Sequence, residues 1–407
     1  MDAAKRLEHP DRIPVAPVSI HYYPNMRRGI PNSEMHYNRP LRHKLWRDVT
    51  VEHDWDSAVT FQNLLEGRPL DLIGATQVKW PGRGVGPNLP FQYVEDEYML
   101  QDEYDEMLAD PSAFAVKKLL PRVARNLAPL SAIAAGSPPG LMSLTNCWAL
   151  PGLVGGMLSD SGAVPMLENL LALAKDLEES QKASAAYVEE MARLGFPMSY
   201  LVANIVAFDC VSDLLRGLRG SMLDMYQVPD KLLAAVEMLI PWTVSQTVWM
   251  ARHAGSTGVF LALHRGAAGF MSDEQFAKFY WPGLKAMIVG LIDAGLTPIP
   301  FFEGDYTPRL KYLQELPPGQ VLGHFDKVDR RRAKEFLGDI MCFWGNVPTS
   351  LLCCGTPRRV KSDVRELIEI FGDTGGLIID GSVGIPDEAK PENLHALMEA
   401  AHEMGNY

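Results

Sequence analysis

The feature that most constrains this chain is an alternation of strand-like and helix-like segments that starts near residue 195 and runs to the C-terminus. Residues 197–208 read as a strand and its loop, 229–253 as a helix interrupted near Pro241, and 258–263 as a strand. Ser272 stands three residues before Gln275, at the head of Phe276, Phe279 and Tyr280, which is a capping-box signature. Residues 298–302 form the next strand, and Thr307-Pro308 sets an N-cap and a first-turn proline ahead of Leu310, Leu313 and Leu316. Residues 321–325 and 340–343 are further strands, with a helix over 330–337 between them. Thr356-Pro357 opens a helix with an apolar face of Val360, Val364, Leu367, Ile368 and Phe371, and a last strand (376–380) and helix (391–404) follow. At least five βα units in succession require a parallel sheet buried under helices, either doubly wound or closed into a barrel. A doubly wound dinucleotide-binding sheet carries a glycine fingerprint at its first βα turn. The nearest match here, Gly82-Arg83-Gly84-Val85-Gly86, runs into Pro87 rather than a helix. The expected fold class is therefore α/β, a TIM (β/α)8-type barrel.

The first 160 residues are less regular, with Pro, Gly, His and Tyr scattered through 11–42 and 80–92. Two strands are readable there, 13–20, weakened by Pro14 and Pro17, and 57–61. From Ala163 a helical pattern runs to Leu194, with apolar residues at Met166, Leu170, Leu173, Tyr187 and Met191. The change of texture contains no flexible linker. The expectation is one barrel domain over 1–407, with an irregular N-terminal extension within 1–160 and regular βα units over 161–407.

Charge narrows the partners. The 38 Lys+Arg against 50 Asp+Glu give a formal charge of −12, and residues 330–332 are the single basic cluster, so no nucleic acid is expected to bind. The apolar stretch 148–158 is short and broken by Pro and Gly, so no membrane span is expected. The N-terminus, Met1-Asp2-Ala3-Ala4-Lys5-Arg6, lacks the apolar region of a secretory signal, which points to the cytoplasm. The five cysteines, Cys147, Cys210, Cys342, Cys353 and Cys354, read as free thiols and small buried hydrophobes before metal or redox groups.

In a parallel barrel the functional groups sit just past the C-terminal ends of the strands. Those positions hold His264-Arg265, Glu303-Gly304-Asp305, His324-Phe325-Asp326, Cys342 followed by Gly345-Asn346, and Asp380-Gly381-Ser382. Glu303, His324 and Cys342 offer an oxygen, a nitrogen and a sulfur from successive strands, and three ligands with one open position is the pattern of a catalytic zinc site. The competing reading makes Cys342 a core thiol and Glu303 and His324 a hydrogen-bonded pair. His264 and Cys354 are spare ligands. His21 and Tyr22, with Tyr23 beside them, follow the first strand and, with Asn346, are the candidate substrate contacts. Asp209 and Arg216 read as a structural ion pair.

Several segments carry a family resemblance. Trp344-Gly345-Asn346-Val347-Pro348, Leu351-Leu352, Gly355-Thr356-Pro357 and Pro391-Glu392-Asn393-Leu394 resemble the uroporphyrinogen decarboxylase superfamily, as does Asp209-Cys210-Val211-Ser212-Asp213 with Leu215-Arg216-Gly217. The likeness runs from about residue 195 to the C-terminus, and it implies a TIM-type barrel. The superfamily divides into cofactor-free decarboxylases of porphyrinogens and zinc methyltransferases that work with corrinoid proteins. The arginine-rich segment of the decarboxylases falls on Met26-Arg27-Arg28-Gly29-Ile30-Pro31, and their catalytic Asp segment on Thr60-Phe61-Gln62-Asn63; neither matches. The HxC zinc pair of the thiol-methylating enzymes reads Phe301-Phe302-Glu303 here, and their late Cys falls near Ser382-Val383. A site rebuilt around Glu303 with His324 and Cys342 fits the branch resembling donor-side methyltransferases of demethylation systems.

That resemblance implies a zinc-dependent methyltransferase that moves a methyl group from a small O-methyl or N-methyl compound to the Co(I) centre of a corrinoid (cobalamin). His264, Asp305 or Tyr306 would protonate the departing atom. The chain lacks a cobalt-ligating D-x-H-x-x-G segment, so the corrinoid would be carried by a separate partner protein. The alternatives are a metal-free decarboxylase and a non-catalytic barrel that serves as a binding protein. A homodimer is a family-level expectation.

Overall fold

The computed structural model describes residues 1–58, 64–131, 148–160 and 162–406. Cys147, residues 59–61 of the second expected strand and the segment 60–63 lie outside the described residues. A short sheet of β1 (Val78–Pro81), β2 (Gly84–Val85) and β3 (Gln92–Tyr93) precedes the main one. The main sheet contains β4 (Val202–Ile205), β5 (Gly258–Leu263), β6 (Thr297–Asp305), β7 (Leu322–Lys327), β8 (Cys342–Trp344) and β9 (Leu377–Ile378), parallel and paired in chain order.

Two N-terminal segments close the ring. The Ile379 amide donates to Pro14 O at 2.8 Å, and Ala16 N donates to Ile379 O at 3.1 Å. Asp56 N then bonds Val15 O, and Ala58 N bonds Pro197 O just ahead of β4. Residues 13–16 and 55–58 thus fill the two remaining positions of an eight-stranded barrel. The first is reduced to isolated bridges, Val15 to Ile379 and Ile20 to Ile385, because Pro14 and Pro17 have no N–H to give. The fold is a TIM-type α/β barrel, as expected.

Strand alternation builds two aromatic layers. Inside the barrel, Tyr200, Phe260, Phe301, His324 and Trp344 meet ring to ring. Outside, Phe302, Phe325 and Phe343 stack in succession and end on Phe371 at 4.1 Å between centroids. Each such pair adds roughly 0.5–1.5 kcal/mol beyond burial. Phe371 belongs to the helix Pro357–Phe371, whose Val360, Val364 and Leu367 recur at helical spacing and are fully buried.

Two local expectations are corrected. The helix Pro229–Ala254 runs unbroken through Pro241. The carbonyl that Pro241 leaves unpaired belongs to Glu237, on the exposed side, where water can satisfy it. Thr307 is inside its turn rather than capping it: Asp305 Oδ1 accepts from Thr307 N, and Thr307 Oγ1 accepts from Asp329 N. Cys210, Cys342, Cys353 and Cys354 are free thiols, as expected. No helix among the described residues is long and apolar enough to cross a membrane.

Candidate active site at the barrel mouth

Strand register decides which candidate residues meet. On β6 and β8 the register partners of His324 are Phe301 and Trp344. Glu303 stands two residues beyond Phe301 toward the mouth, and Cys342 two residues before Trp344 toward the floor. Four residues of strand separate their levels, about 13 Å at the 3.3 Å rise of a parallel strand. Zinc needs its ligand atoms about 2.0–2.3 Å from the ion, so Glu303, His324 and Cys342 cannot share one, and the expected ligand set is corrected. No three His, Cys, Asp or Glu side chains among the described residues are arranged to hold a metal.

Cys342 lies fully buried among Ala16, Val18, Ile299 and Ile378, and burial holds its thiol well above the usual range. Cys354 is exposed at the C-terminal end of the helix Thr349–Cys354. Replacing Cys342 with Ala should therefore leave the zinc content of purified protein unchanged by mass spectrometry, at a stability cost of about 1 kcal/mol for the small cavity. Loss of about one zinc per chain in that variant would restore Cys342 as a ligand.

His324 pairs differently from either expectation. Its Nε2–H donates to Asp380 Oδ2 at 3.0 Å, both side chains being fully buried. Asp380 also accepts from Val18 N and Gly381 N, so this pair ties β7 to the last strand and the first. Burial raises the Asp380 pKa, against the pull of His324 and the two amides.

The mouth itself is organised around the turn after β5. Past β4 the chain enters a short helix and a π-helical turn, Cys210–Arg216, which sends Asp209 and Asp213 to the same turn. His264 donates from Nδ1 to Asp213 Oδ2 at 2.5 Å. Arg265 reaches Asp213 Oδ1 at 3.1 Å, Ser212 Oγ at 2.8 Å and Glu95 Oε1 at 2.7 Å. Beneath them Asp209, fully buried, accepts from His264 N, Arg265 N and Tyr280 OH. The ion pair expected between Asp209 and Arg216 is absent; Arg216 bonds Asp224 instead, at 2.6 Å.

Burial works against the His264 imidazolium, but the hydrogen bond and charge of Asp213, with Asp209 and Glu303, outweigh it and hold its pKa above the ordinary value. Burial, then Asp213, push Asp209 up to about 7 against three hydrogen bonds that favour its carboxylate. Glu303 stands exposed in the mouth; the surrounding protein raises its pKa, His264 lowers it and Asp326 raises it. The end of β3 and the residues past it overhang the site: Tyr93 feels the Asp213 charge, and Glu95 joins Arg265 to Leu218 N. On the β7 to β9 side lies a cleft of about 750 Å3 lined by Asp326, Arg330, Asn346, Thr349 and Ser382.

The remaining candidates do other work. Asp305 is held by Thr307 N, and a register shift between Phe302 and Asp305 leaves Tyr306 fully buried beside Phe302, without surface open to the mouth. Tyr306 is thus corrected as a proton donor. Tyr22 is fully buried, its hydroxyl shared with His36 Nε2 and Phe91 N, and Asn346 joins Arg330 to Asp326 O. Tyr22, without exposed surface, is a structural tie, whereas Asn346 also lines the cleft. His21 packs edge-on against Phe91, near the overhang. Sequence reasoning missed Asp213 and Tyr280. Asp213 lies four residues past Asp209 on the π-helical turn, and Tyr280 at the end of the π-helical segment Phe276–Tyr280, both beyond the reach of the strand-end rule.

Comparison with known proteins agrees with this architecture. The family profile for uroporphyrinogen decarboxylase (URO-D) matches residues 205–404. The uroporphyrinogen decarboxylase of Syntrophotalea carbinolica is 24% identical over 180 residues, 44% of this chain and 51% of that protein. That of Vibrio campbellii is 36% identical over 73 residues, 18% of this chain and 20% of that protein. The chain spans about half the length of the first of these relatives and about a fifth of the second. A solved structure, a methyltransferase from Methanosarcina mazei, superposes with a TM-score of 0.62 at 16% identity, over 98% of this chain and 96% of that one. Over residues 205–404, just under half of the chain, the strands and helices that build the mouth are thus similar to the uroporphyrinogen decarboxylase family, and the barrel around them has the fold of the Methanosarcina protein.

Proposed function

We propose that this protein is a methyltransferase that takes a methyl group from a small O-methyl or N-methyl compound and passes it to the Co(I) centre of a corrinoid held by a separate protein. The observation that carries the reading is the His264–Asp213 pair at the C-terminal mouth, in which the carboxylate partner favours the protonated imidazole. A methyl ether that loses its methyl group leaves an alkoxide or phenoxide, which needs a proton as the C–O bond breaks. His264 is positioned to donate it. Asp213 orients the ring through Nδ1 and leaves Nε2–H as the donor toward the mouth. Corrinoid docking over the mouth is supported by the same placement, since the strand ends open there and the overhang of residues 91–97 borders it.

The charge of the mouth argues against a porphyrinogen decarboxylase. Asp213, Glu303, Asp305 and Asp326 surround the opening, while His264 and Arg265 are both engaged by Asp213. Arg27 and Arg28, in the segment where the decarboxylases keep their arginines, are neutralised by Glu52 and Asp48. A substrate with many carboxylates would meet net repulsion. Incubation with chemically reduced cobalamin and small methyl ethers or methylamines tests the proposal: the demethylated donor and methylcobalamin should appear together.

A further inference from the structure

The two aspartates that grip His264-Arg265 act on different parts of it. Asp213 takes the side chains, through His264 Nδ1 at 2.5 Å and Arg265 Nη2 at 3.1 Å. Asp209 takes the backbone: its Oδ2 accepts from His264 N at 3.0 Å and its Oδ1 from Arg265 N at 3.2 Å. It also anchors itself, because Tyr280 OH donates to Oδ2 at 2.7 Å and Tyr280 is fully buried. The next residue, Gly266, presses on the same support. A Cβ there would fall 2.1 Å from Tyr306 OH and 2.7 Å from Tyr280 Cε1, so no larger residue fits without moving the tyrosines.

We infer that Asp209, braced by Tyr280, is a positioning residue that fixes the backbone of His264-Arg265 so that the imidazole addresses the mouth. The inference rests on the proposed role of His264. The reason for a dedicated backbone anchor is geometric. The turn leaves the sheet after Leu263, and its two amides have no strand partner past that point. Unpaired, they would leave the turn free to rotate, and a shift of about 1 Å at a reacting group can cost about 100-fold in rate. A carboxylate with two oxygens fixes two successive N–H groups at once. Asparagine at the same place can accept with one oxygen, while its amide group would oppose the second N–H.

The test compares Asp209→Asn, Tyr280→Phe and Asp213→Asn in the full-length protein by hydrogen–deuterium exchange and by methyl transfer to reduced cobalamin. Exchange is read with no donor or acceptor present, so it judges the anchor even if the methyl-transfer reading fails. In Asp209→Asn the amides of the turn should exchange at least about tenfold faster, and kcat should fall about 10- to 100-fold with KM little changed. The alkaline limb of its pH profile should move to lower pH by less than in Asp213→Asn, because Asp213 raises the His264 pKa more than Asp209 does. Tyr280→Phe, which keeps the ring and the packing, should show the same pattern more weakly. Asp213→Asn should move the alkaline limb furthest to lower pH while the turn keeps its protection. Unchanged protection of the turn in both Asp209→Asn and Tyr280→Phe, or a limb that moves in Asp209→Asn as far as it does in Asp213→Asn, would overturn the inference. Fast exchange with no methyl transfer in any protein would uphold the anchor and remove the proposed reaction.

Discussion

His264→Gln should lower the rate of methyl transfer from a methyl ether by about 10²- to 10⁴-fold, the usual worth of a general acid. Glutamine can keep the hydrogen bond to Asp213 but has no proton to lose at neutral pH, so fold and donor affinity should survive. The pH dependence has a fixed sign. Asp213, Asp209 and Glu303 raise the His264 pKa over the opposition of burial. The acid form therefore persists through the ordinary histidine range, and activity falls as pH rises through the elevated value. The stability of the pair follows the same sign: present in full below the unfolded-state pKa, lost as pH rises through the folded-state one. Arg265 faces the same carboxylates, and Asp209 titrates near 7, so the alkaline limb belongs to the cluster rather than to His264 alone. Steady-state rates against pH check both points. A His264→Gln enzyme within about threefold of the parent would remove His264 from the chemistry.

The second large effect concerns stability. Asp224→Ala should destabilise the protein by about 3–5 kcal/mol, because it strands a buried guanidinium. Arg216 and Asp224 are 3% and 0% exposed, joined at 2.6 and 3.3 Å, and Arg216 also donates to Met99 O. Asp224 accepts in addition from Tyr104 OH at 2.8 Å and Gln101 Nε2 at 2.7 Å, so the same carboxylate holds the segment 99–104 against the helix Gly217–Gln227. Arg216 closes the π-helical turn that carries Asp213, which links this pair to the active turn. Denaturant unfolding of Asp224→Ala measures the loss. The double variant Arg216→Met with Asp224→Leu should regain much of it, since no charge is then left unpaired. A loss below about 1 kcal/mol in the single variant would mean that water reaches the pair.

The strand-end rule made His264, Glu303, His324 and Asp380 legible, because a strand and its exit are local features of hydropathy and glycine placement. Height in the barrel was not legible. Cys342, His324 and Glu303 all lie at strand ends in sequence, yet which residues share a level depends on register between β6, β7 and β8, set by non-local pairing. A two-residue offset on each side placed Cys342 at the floor. Tyr306 followed a different rule: the register shift near the end of β6 turned it away from the mouth, and no sequence period announces such a shift. Asp209 read as an ion-pair partner for Arg216 because the two are close in sequence. The fold gave each a partner from elsewhere, the turn after β5 for Asp209 and Asp224 for Arg216.

The central claim is methyl transfer from a small donor at this mouth, and the most direct measurement follows wild-type protein with reduced cobalamin and a methyl ether or methylamine. Absorbance should report methylcobalamin growing in step with demethylated donor, with no carbon dioxide released. Carbon dioxide from a carboxylated substrate, with no methylcobalamin from any donor, would contradict the account and return the decarboxylase reading to first place.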